Sequence, residues 1–358
     1  MRTQRSVTMT QVAAQAGVSV QTVSNVLNAP EIVRPETAAR VREVIEELAY
    51  RPNRAARQLR TKQSGLIGVR VESASSDGVF DRFLHAVTNA AADRGYRVLL
   101  YTAGDDDAEM RSYDDLLDRW NLDGFVLSHT HETDSRAAQL QARGVPCVSF
   151  GRPWEHDAAQ PWVDVDGSAG TRKATEHLIA QGHSTIGFLG WPTHSRVGND
   201  RHAGYLRAMA GAGLEPPAPG RCVNTVADAR SAAQKLLTRT AATALVCVSD
   251  FVAIGALAAS QHMAVVGRPL APVEIIGFDN TDLAAGAGIS SVAQPLVAVA
   301  EHCLRLLAAR IEHPVGSGPV EQLLLVPDLV VRAHPSPSGH LGRTRPGSRR
   351  TPAHPKTE

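Results

Sequence analysis

The sequence predicts a small all-α head and a short helical hinge, followed by a two-lobed α/β body with two doubly wound parallel sheets. Three observations predict it. Residues 8–48 carry three short stretches of apolar residues at helical spacing, each opened by a helix-start signal. From Gly65 onward, β-branched apolar runs alternate with segments of crossover-helix length: GLIGVRV, YRVLLY, GFVLSH and PCVSF, then STIGFLGW, TALVCVS and VEIIGFD. Charge divides the chain at the same place: residues 1–62 hold ten Lys and Arg against five Asp and Glu, a net +5, while residues 63–334 hold 22 against 30, a net −8.

A basic head on an acidic body suggests a polyanion-binding module fused to one that does not bind polyanions. With 358 residues, 43% of them apolar, the chain is long enough for two or three domains, each with its own core. The first residues, MRTQRSVTMTQ, lack an apolar signal core, and no run approaches the roughly 18 apolar residues of a membrane helix. The protein is expected to stay in the cytoplasm, with no membrane partner. Cys147, Cys222, Cys247 and Cys303 lie far apart without C-x-x-C spacing and read as reduced, mostly buried thiols.

In the head, Thr8-Met-Thr-Gln11 fits a capping box, Val12, Ala13 and Ala16 give a short apolar face, and Gly17 ends the helix. Ser19 caps a second helix at once, so the pair reads as helix–turn–helix. A third helix opens with Pro35 and Glu36 and repeats Val41, Val44, Ile45 and Leu48. On the second helix Val23, Val26 and Leu27 are expected to face the core, leaving Val20, Gln21, Ser24, Asn25 and Asn28 outside. Gln and Asn both donate and accept, which suits adenine N6–H and N7 in a major groove, and Val suits a thymine methyl. A solvated helix face is the plain alternative.

The hinge lies in YRPNRAARQLRTKQSGLIG, residues 50–68. Asn53 caps a short helix on which Arg54, Arg57 and Arg60 can reach phosphates, and Leu59 has no core to join. So short a helix needs DNA and a second copy to hold it. Leu59 then reads as a wedge for a minor groove, with Ala55 and Ala56 small enough for two helices to meet. An Arg-rich linker with an incidental Leu fits the same letters.

In the body, a ligand sits outside the carboxyl ends of parallel strands, so the residues after each run deserve inspection. These are Trp191, Asp250 and Asp279-Asn280, with Asp200 and Arg201 at the expected start of a helix. Carboxylates and a guanidinium ringed by indoles suit a sugar, through bidentate hydrogen bonds and stacking on a pyranose. Simple helix caps at Asp200 and Asp250 and a core Trp191 remain open. After PCVSF come Gly151-Arg152, with Trp154 and Trp162 in the following loop, which could equally be loop anchors.

TQVAAQAGVSVQTVSNVLN, RPETAARVREVIEELAYRPNRAARQL and SGLIGV together resemble the lac-repressor/galactose-repressor family of bacterial transcription regulators. The resemblance runs from about Thr8 to Arg332 and implies a helix-turn-helix domain at 1–52, a hinge at 53–63 and a periplasmic-binding-protein-like core at 64–333. Lobe one is expected at about 64–163 and 295–325, and lobe two at about 164–294 and 326–333, before a disordered tail at 334–358. It implies a homodimer on a near-palindromic double-stranded operator, hence a nucleoid-associated protein. By position, Val20, Gln21 and Asn25 read bases; Thr8, Ser19, Thr22, Asn28, Arg54 and Arg57 hold the DNA backbone; Ala56 and Leu59 enter the minor groove. Arg201 and Asp279 match effector-binding positions, with Asp250 on a further pocket segment. Trp191, Arg152 and Trp162 complete the expected set with Asp200. Many relatives carry Arg where Asn25 stands, and Asn favours adenine over guanine. The indoles are similar to those of actinobacterial members that respond to glucosides.

The expected function is a repressor released from DNA when a small sugar or glycoside rearranges the lobes. A corepressor-dependent regulator would reverse the sign. A free-standing solute receptor would lack the basic head. No G-x-S-x-G, phosphate loop or H-E-x-x-H is present, and His129 and His131 lack zinc-site company. Neither catalytic residues, a metal nor a cofactor is expected. The tail has no leucine heptad, so a dimer held by the first lobe and VAVAEHCLRLLAARI is expected rather than a tetramer.

Overall fold

The computed structural model describes residues 7–51, 63–71, 78–153, 160–265, 272–313 and 320–332. Apart from Gln63, the expected hinge lies outside the described residues with Arg54, Ala56, Arg57 and Leu59, as do Trp154 and the tail at 334–358.

The head is formed by α1 (Met9–Ala16), α2 (Val20–Asn28) and α3 (Pro35–Glu47), with one 3-10 turn at Pro30–Ile32. Thr8 and Gln11 close the capping box: the Thr8 N–H donates to Gln11 Oε1 at 2.8 Å and the Gln11 N–H returns to Thr8 Oγ1. Gly17 ends α1 in the left-handed conformation, and Ser19 Oγ accepts from the Thr22 N–H at 3.1 Å to start α2. Gly17, Val18 and Ser19 therefore make the whole turn. Val12, Ala16, Val23, Val26, Val41, Val44 and Tyr50 share one core. Gln15 Nε2 donates to Glu47 Oε2 at 3.0 Å and ties α1 to α3. Ser24 departs from expectation. It is only 7% exposed, because a small hydroxyl fits against the core, and its carbonyl accepts from Asn28 Nδ2 at 2.7 Å.

The first sheet contains β1 (Leu66–Arg70), β2 (Arg97–Tyr101), β3 (Gly124–Leu127), β4 (Cys147–Phe150), β5 (Trp162–Val165) and β11 (Gln322–Leu325), in the order β11-β5-β4-β3-β1-β2. β1 pairs in parallel with β2 and β3, and β3 with β4. Parallel neighbours need crossovers, supplied by α4 (Val79–Asp93), α5 (Asp106–Trp120) and α6 (Arg136–Ala142).

The second sheet contains β6 (Ile186–Gly190), β7 (Gly220–Arg221), β8 (Ala244–Cys247), β9 (Glu274–Phe278), β10 (Ser290–Ala293) and β12 (Asp328–Val330), ordered β12-β10-β9-β8-β6-β7. All pairings are parallel except that of β12 with β10. Its helices are α7 (Gly167–Ala180), α8 (Arg196–Gly211), α9 (Val226–Thr240), α10 (Asp250–Val265) and the short α11 (Asp282–Gly286), and α12 (Leu296–Glu312) follows β10. Every residue of β6 and β8 is buried, as strands covered on both faces require. The order reverses at β6, which lies between β7 and β8, and that places a switch point at their carboxyl ends. α8 packs closely on α7: a Cβ on Gly204 would lie 2.0 Å from the Ser168 carbonyl oxygen.

By internal contacts the chain divides into two units, one of Met1–Ala74, His85–Trp162 and Ala300–Gln322, the other of Ser75–Leu84, Val163–Val299 and Leu323–Glu358. The four cysteines are free and buried. No helix among the described residues is long and apolar enough to cross a membrane.

Candidate nucleic-acid interface and ligand-binding residues

The outward side of α2 carries Val20, which is 43% exposed, Gln21 and Asn28, with Asn25 half-buried beside them. Neither end of α2 has an acidic or basic residue. Gln21 Nε2 donates to Asn25 Oδ1 at 2.9 Å, one helical turn on. That bond leaves Gln21 Oε1 as an acceptor and Asn25 Nδ2 as a donor, the complement of the adenine edge in a major groove. At the start of the helix, Ser19 and Thr22 share a hydroxyl contact of 2.9 Å. Thr8 occupies the corresponding cap of α1.

In the second unit, the carboxyl ends of β6, β8 and β9 gather Trp191, Arg201 and Asp279. Arg201 projects from α8 and is 6% exposed. Its Nη1 donates to the Val248 carbonyl at 2.6 Å and lies 3.5 Å from Asp279 Oδ1. Its guanidinium carbon sits 3.6 Å from the Phe278 ring centre and 5.4 Å from that of Trp191. Burial pushes the guanidinium down from its usual range, opposed by Asp279, Asp164, Asp200 and Asp250, and an Arg keeps its charge in such company. Arg201 Nε is buried with no hydrogen-bond partner among the described residues, a donor that an incoming ligand oxygen would satisfy.

Asp279 is 5% exposed and has φ 107°, with Asn280 at φ 51°. Positive φ at two successive non-glycine residues is strained backbone, and such strain clusters at ligand sites. Gln294 Nε2 donates to Asp279 Oδ1 at 2.6 Å and fixes the carboxylate. Trp191 is half-buried, and its indole N–H donates to Asn224 Oδ1 at 3.2 Å.

Two expected contacts stand differently. Asp200 lies in the second turn of α8 rather than at its start, and its Oδ2 accepts from the Ser168 N–H at 3.1 Å, at the start of α7. Asp250, expected to touch a ligand, is 0% exposed and both its oxygens already accept hydrogen bonds from the protein. Their partners lie 31 and 41 residues away, so no local pattern reveals them.

Arg152 and Trp162 belong to the first unit, both half-buried. Thr130 Oγ1 donates to the Arg152 carbonyl at 3.2 Å. The strand ends of this sheet also hold a buried ion network that sequence reading missed. Arg70 reaches Asp106 at 2.7 Å and Glu109 at 2.6 Å, while Arg136 reaches Asp134 at 2.7 Å and Glu109 at 3.1 Å. Asp106, His131 and Asp134 place ligand-type atoms within 4.8 Å of one another. Both carboxylates are already paired with guanidiniums, Asp106 with Arg70 and Arg136 and Asp134 with Arg136, so the donor set suits an internal ion network better than a metal ion.

Phe278 and Gln294 were not singled out either. Phe278 immediately precedes Asp279 in the sequence, so inspecting that neighbour would have found it.

A helix–turn–helix head whose second helix is uncharged on its outward side, together with a doubly wound body holding a buried Arg–Asp pair, defines a DNA-binding regulator with a ligand-binding core. The family model of bacterial regulatory proteins of the lacI family matches residues 8–53, and that of periplasmic binding proteins and the sugar binding domain of the LacI family matches residues 64–309. The chain belongs to the LacI family of transcriptional regulators. It is 32% identical to the HTH-type transcriptional regulator CelR of Thermobifida fusca over 323 residues, 87% of this chain and 94% of that protein. A solved complex of transcriptional regulator CelR with cellobiose matches at a TM-score of 0.66 and 29% identity, covering 91% of this chain and 99% of that one. The lac repressor dimer bound to operator and the anti-inducer ONPF matches at a TM-score of 0.71 and 25% identity, covering 92% and 98%.

Proposed function

We propose that this regulator is a repressor that binds a near-palindromic operator as a homodimer and is released by a small sugar or glycoside of the cellobiose kind. The observation that carries the effector half is the Arg201–Asp279 pair at the carboxyl ends of the second sheet, with its unpartnered Arg201 Nε. A carboxylate and a guanidinium held 3.5 Å apart offer acceptors and donors to vicinal hydroxyls, and Trp191 beside them offers an apolar face to a pyranose. Asp200 tunes the field at Arg201. Arg152 and Trp162, both in the first unit, are proposed as further effector-binding residues.

On the DNA side, Val20, Gln21 and Asn25 read base edges, and Thr8, Ser19, Thr22 and Asn28 hold the backbone. Within the hinge at 53–63, Arg54 and Arg57 take phosphates while Ala56 and Leu59 occupy the minor groove. The protein acts in the cytoplasm at the nucleoid, without a cofactor or metal, and catalyses no reaction. Sugar and operator oppose each other through a coupling of about 1 to 3 kcal/mol, roughly a 5- to 150-fold change in affinity. Gel shift of the full-length protein on an operator selected from random duplexes tests this: cellobiose or a related glycoside releases the DNA. Tighter DNA binding in its presence would instead mark a corepressor.

A further inference from the structure

Asp250 is the first residue of α10, yet it does not cap that helix. Ser249 Oγ accepts from the Val252 N–H at 3.3 Å and performs that task. The Asp250 oxygens turn elsewhere. Oδ2 accepts from the Thr281 N–H at 2.6 Å and from Thr281 Oγ1 at 2.9 Å, and Oδ1 accepts from Ser291 Oγ at 2.6 Å. Ser291 Oγ in turn accepts from the Asn280 N–H at 2.9 Å. The carboxylate therefore clamps the residue after the positive-φ pair Asp279–Asn280 and, through Ser291, the pair itself. The approach is close: a Cβ on Gly277 would lie 2.2 Å from Asp250 Oδ1.

We propose that Asp250 is a positioning residue, which holds the strained Asp279–Asn280 turn and so aims the Asp279 carboxylate at the effector without touching the effector itself. This rests on the reading of Asp279 as an effector contact. Each strained residue persists only while its surroundings over-determine it; Asp250 accepts two hydrogen bonds from Thr281, next to the pair, and one from Ser291, whose Oγ in turn holds the Asn280 N–H.

The test uses the full-length protein and two measurements. Hydrogen exchange on the ligand-free protein comes first: D250N and the milder S291A are expected to speed exchange of the 279–281 amides about tenfold or more, with the head unaffected. Calorimetric titration with cellobiose comes second: D250N is expected to weaken binding about tenfold in the wild-type background and less than about twofold when Asp279 is already Asn. Should D250N fail to fold, S291A carries both readouts. Unchanged exchange at 279–281, or an equal loss in both backgrounds, overturns the proposal. A wild-type protein that binds no cellobiose would remove the sugar reading for that probe, and the exchange result would still decide the role of Asp250.

Discussion

Gln21 and Asn25 are joined side chain to side chain, so their free acceptor and donor are presented as one unit. Gln21→Ala is therefore expected to relax sequence preference by about 1 to 3 kcal/mol at one base pair, with far less effect on non-specific duplex. Arg57→Ala is expected to weaken all sequences alike and flatten the salt dependence. Titrations of operator variants at two salt concentrations separate the two, and the reverse pattern would exchange the assignments. In the body, Arg201→Ala or Asp279→Ala is expected to abolish the thermal shift given by cellobiose, and undiminished shifts in both would remove the pair from the site. Residues whose role is local were readable: Thr8 with Gln11 three positions on, Gly17 and Ser19 each act within one helical turn. The hydrogen bonds of Asp250 were not readable because its partners, Thr281 and Ser291, lie on other elements. Ser24 was misread because its small polar side chain stands where core geometry tolerates burial.

At the scale of elements, α7 and α8 can approach only because residue 204 lacks a side chain. Gly204→Ala would press a methyl against the Ser168 carbonyl and is expected to cost about 1 to 3 kcal/mol or more. Gly211→Ala, at the other end of the same helix, meets nothing within 4 Å and is expected to be neutral or mildly stabilising. Thermal unfolding of the two variants checks the contrast. The start of α5 makes a pH prediction. Burial raises the Asp106 carboxyl, but the hydrogen bond from Arg70, the charge of Arg136 and the hydrogen bond from His131 lower it further, leaving it below its ordinary 3.8. A depressed folded value means stability present above the ordinary carboxylate range and lost as the pH falls through the folded value. Asp106→Asn is thus expected to lower the melting temperature at pH 7 and to flatten its decline in acid; an unchanged profile would contradict this. Strands β1–β4, β6, β8 and β9 were legible because buried parallel strands give unbroken apolar runs, as in IGFLG and ALVC, whereas β5, β7, β10, β11 and β12, of two to four residues each, were not among the runs read. The ion network of Arg70, Glu109 and Arg136 was not, because buried charges are written in the same letters as solvated ones.

For the whole molecule, charge divides into +5 in residues 1–62 and −8 in residues 63–334, and the basic part, which includes the lacI-family match at 8–53, is the part expected to meet DNA. A chain lacking residues 1–62 is expected to keep its cellobiose affinity within about twofold and to lose operator binding, which titration of each ligand would show. The family membership makes such a regulator a switch only if the two ligands compete through the protein. Linkage requires the coupling to be reciprocal: whatever factor sugar imposes on operator affinity, operator imposes on sugar affinity. The most direct measurement is calorimetric titration of cellobiose into the full-length protein, free and saturated with a selected operator. Bound operator is expected to weaken sugar binding roughly 5- to 150-fold; a measurable affinity that is equal in the two titrations would rule out the coupling.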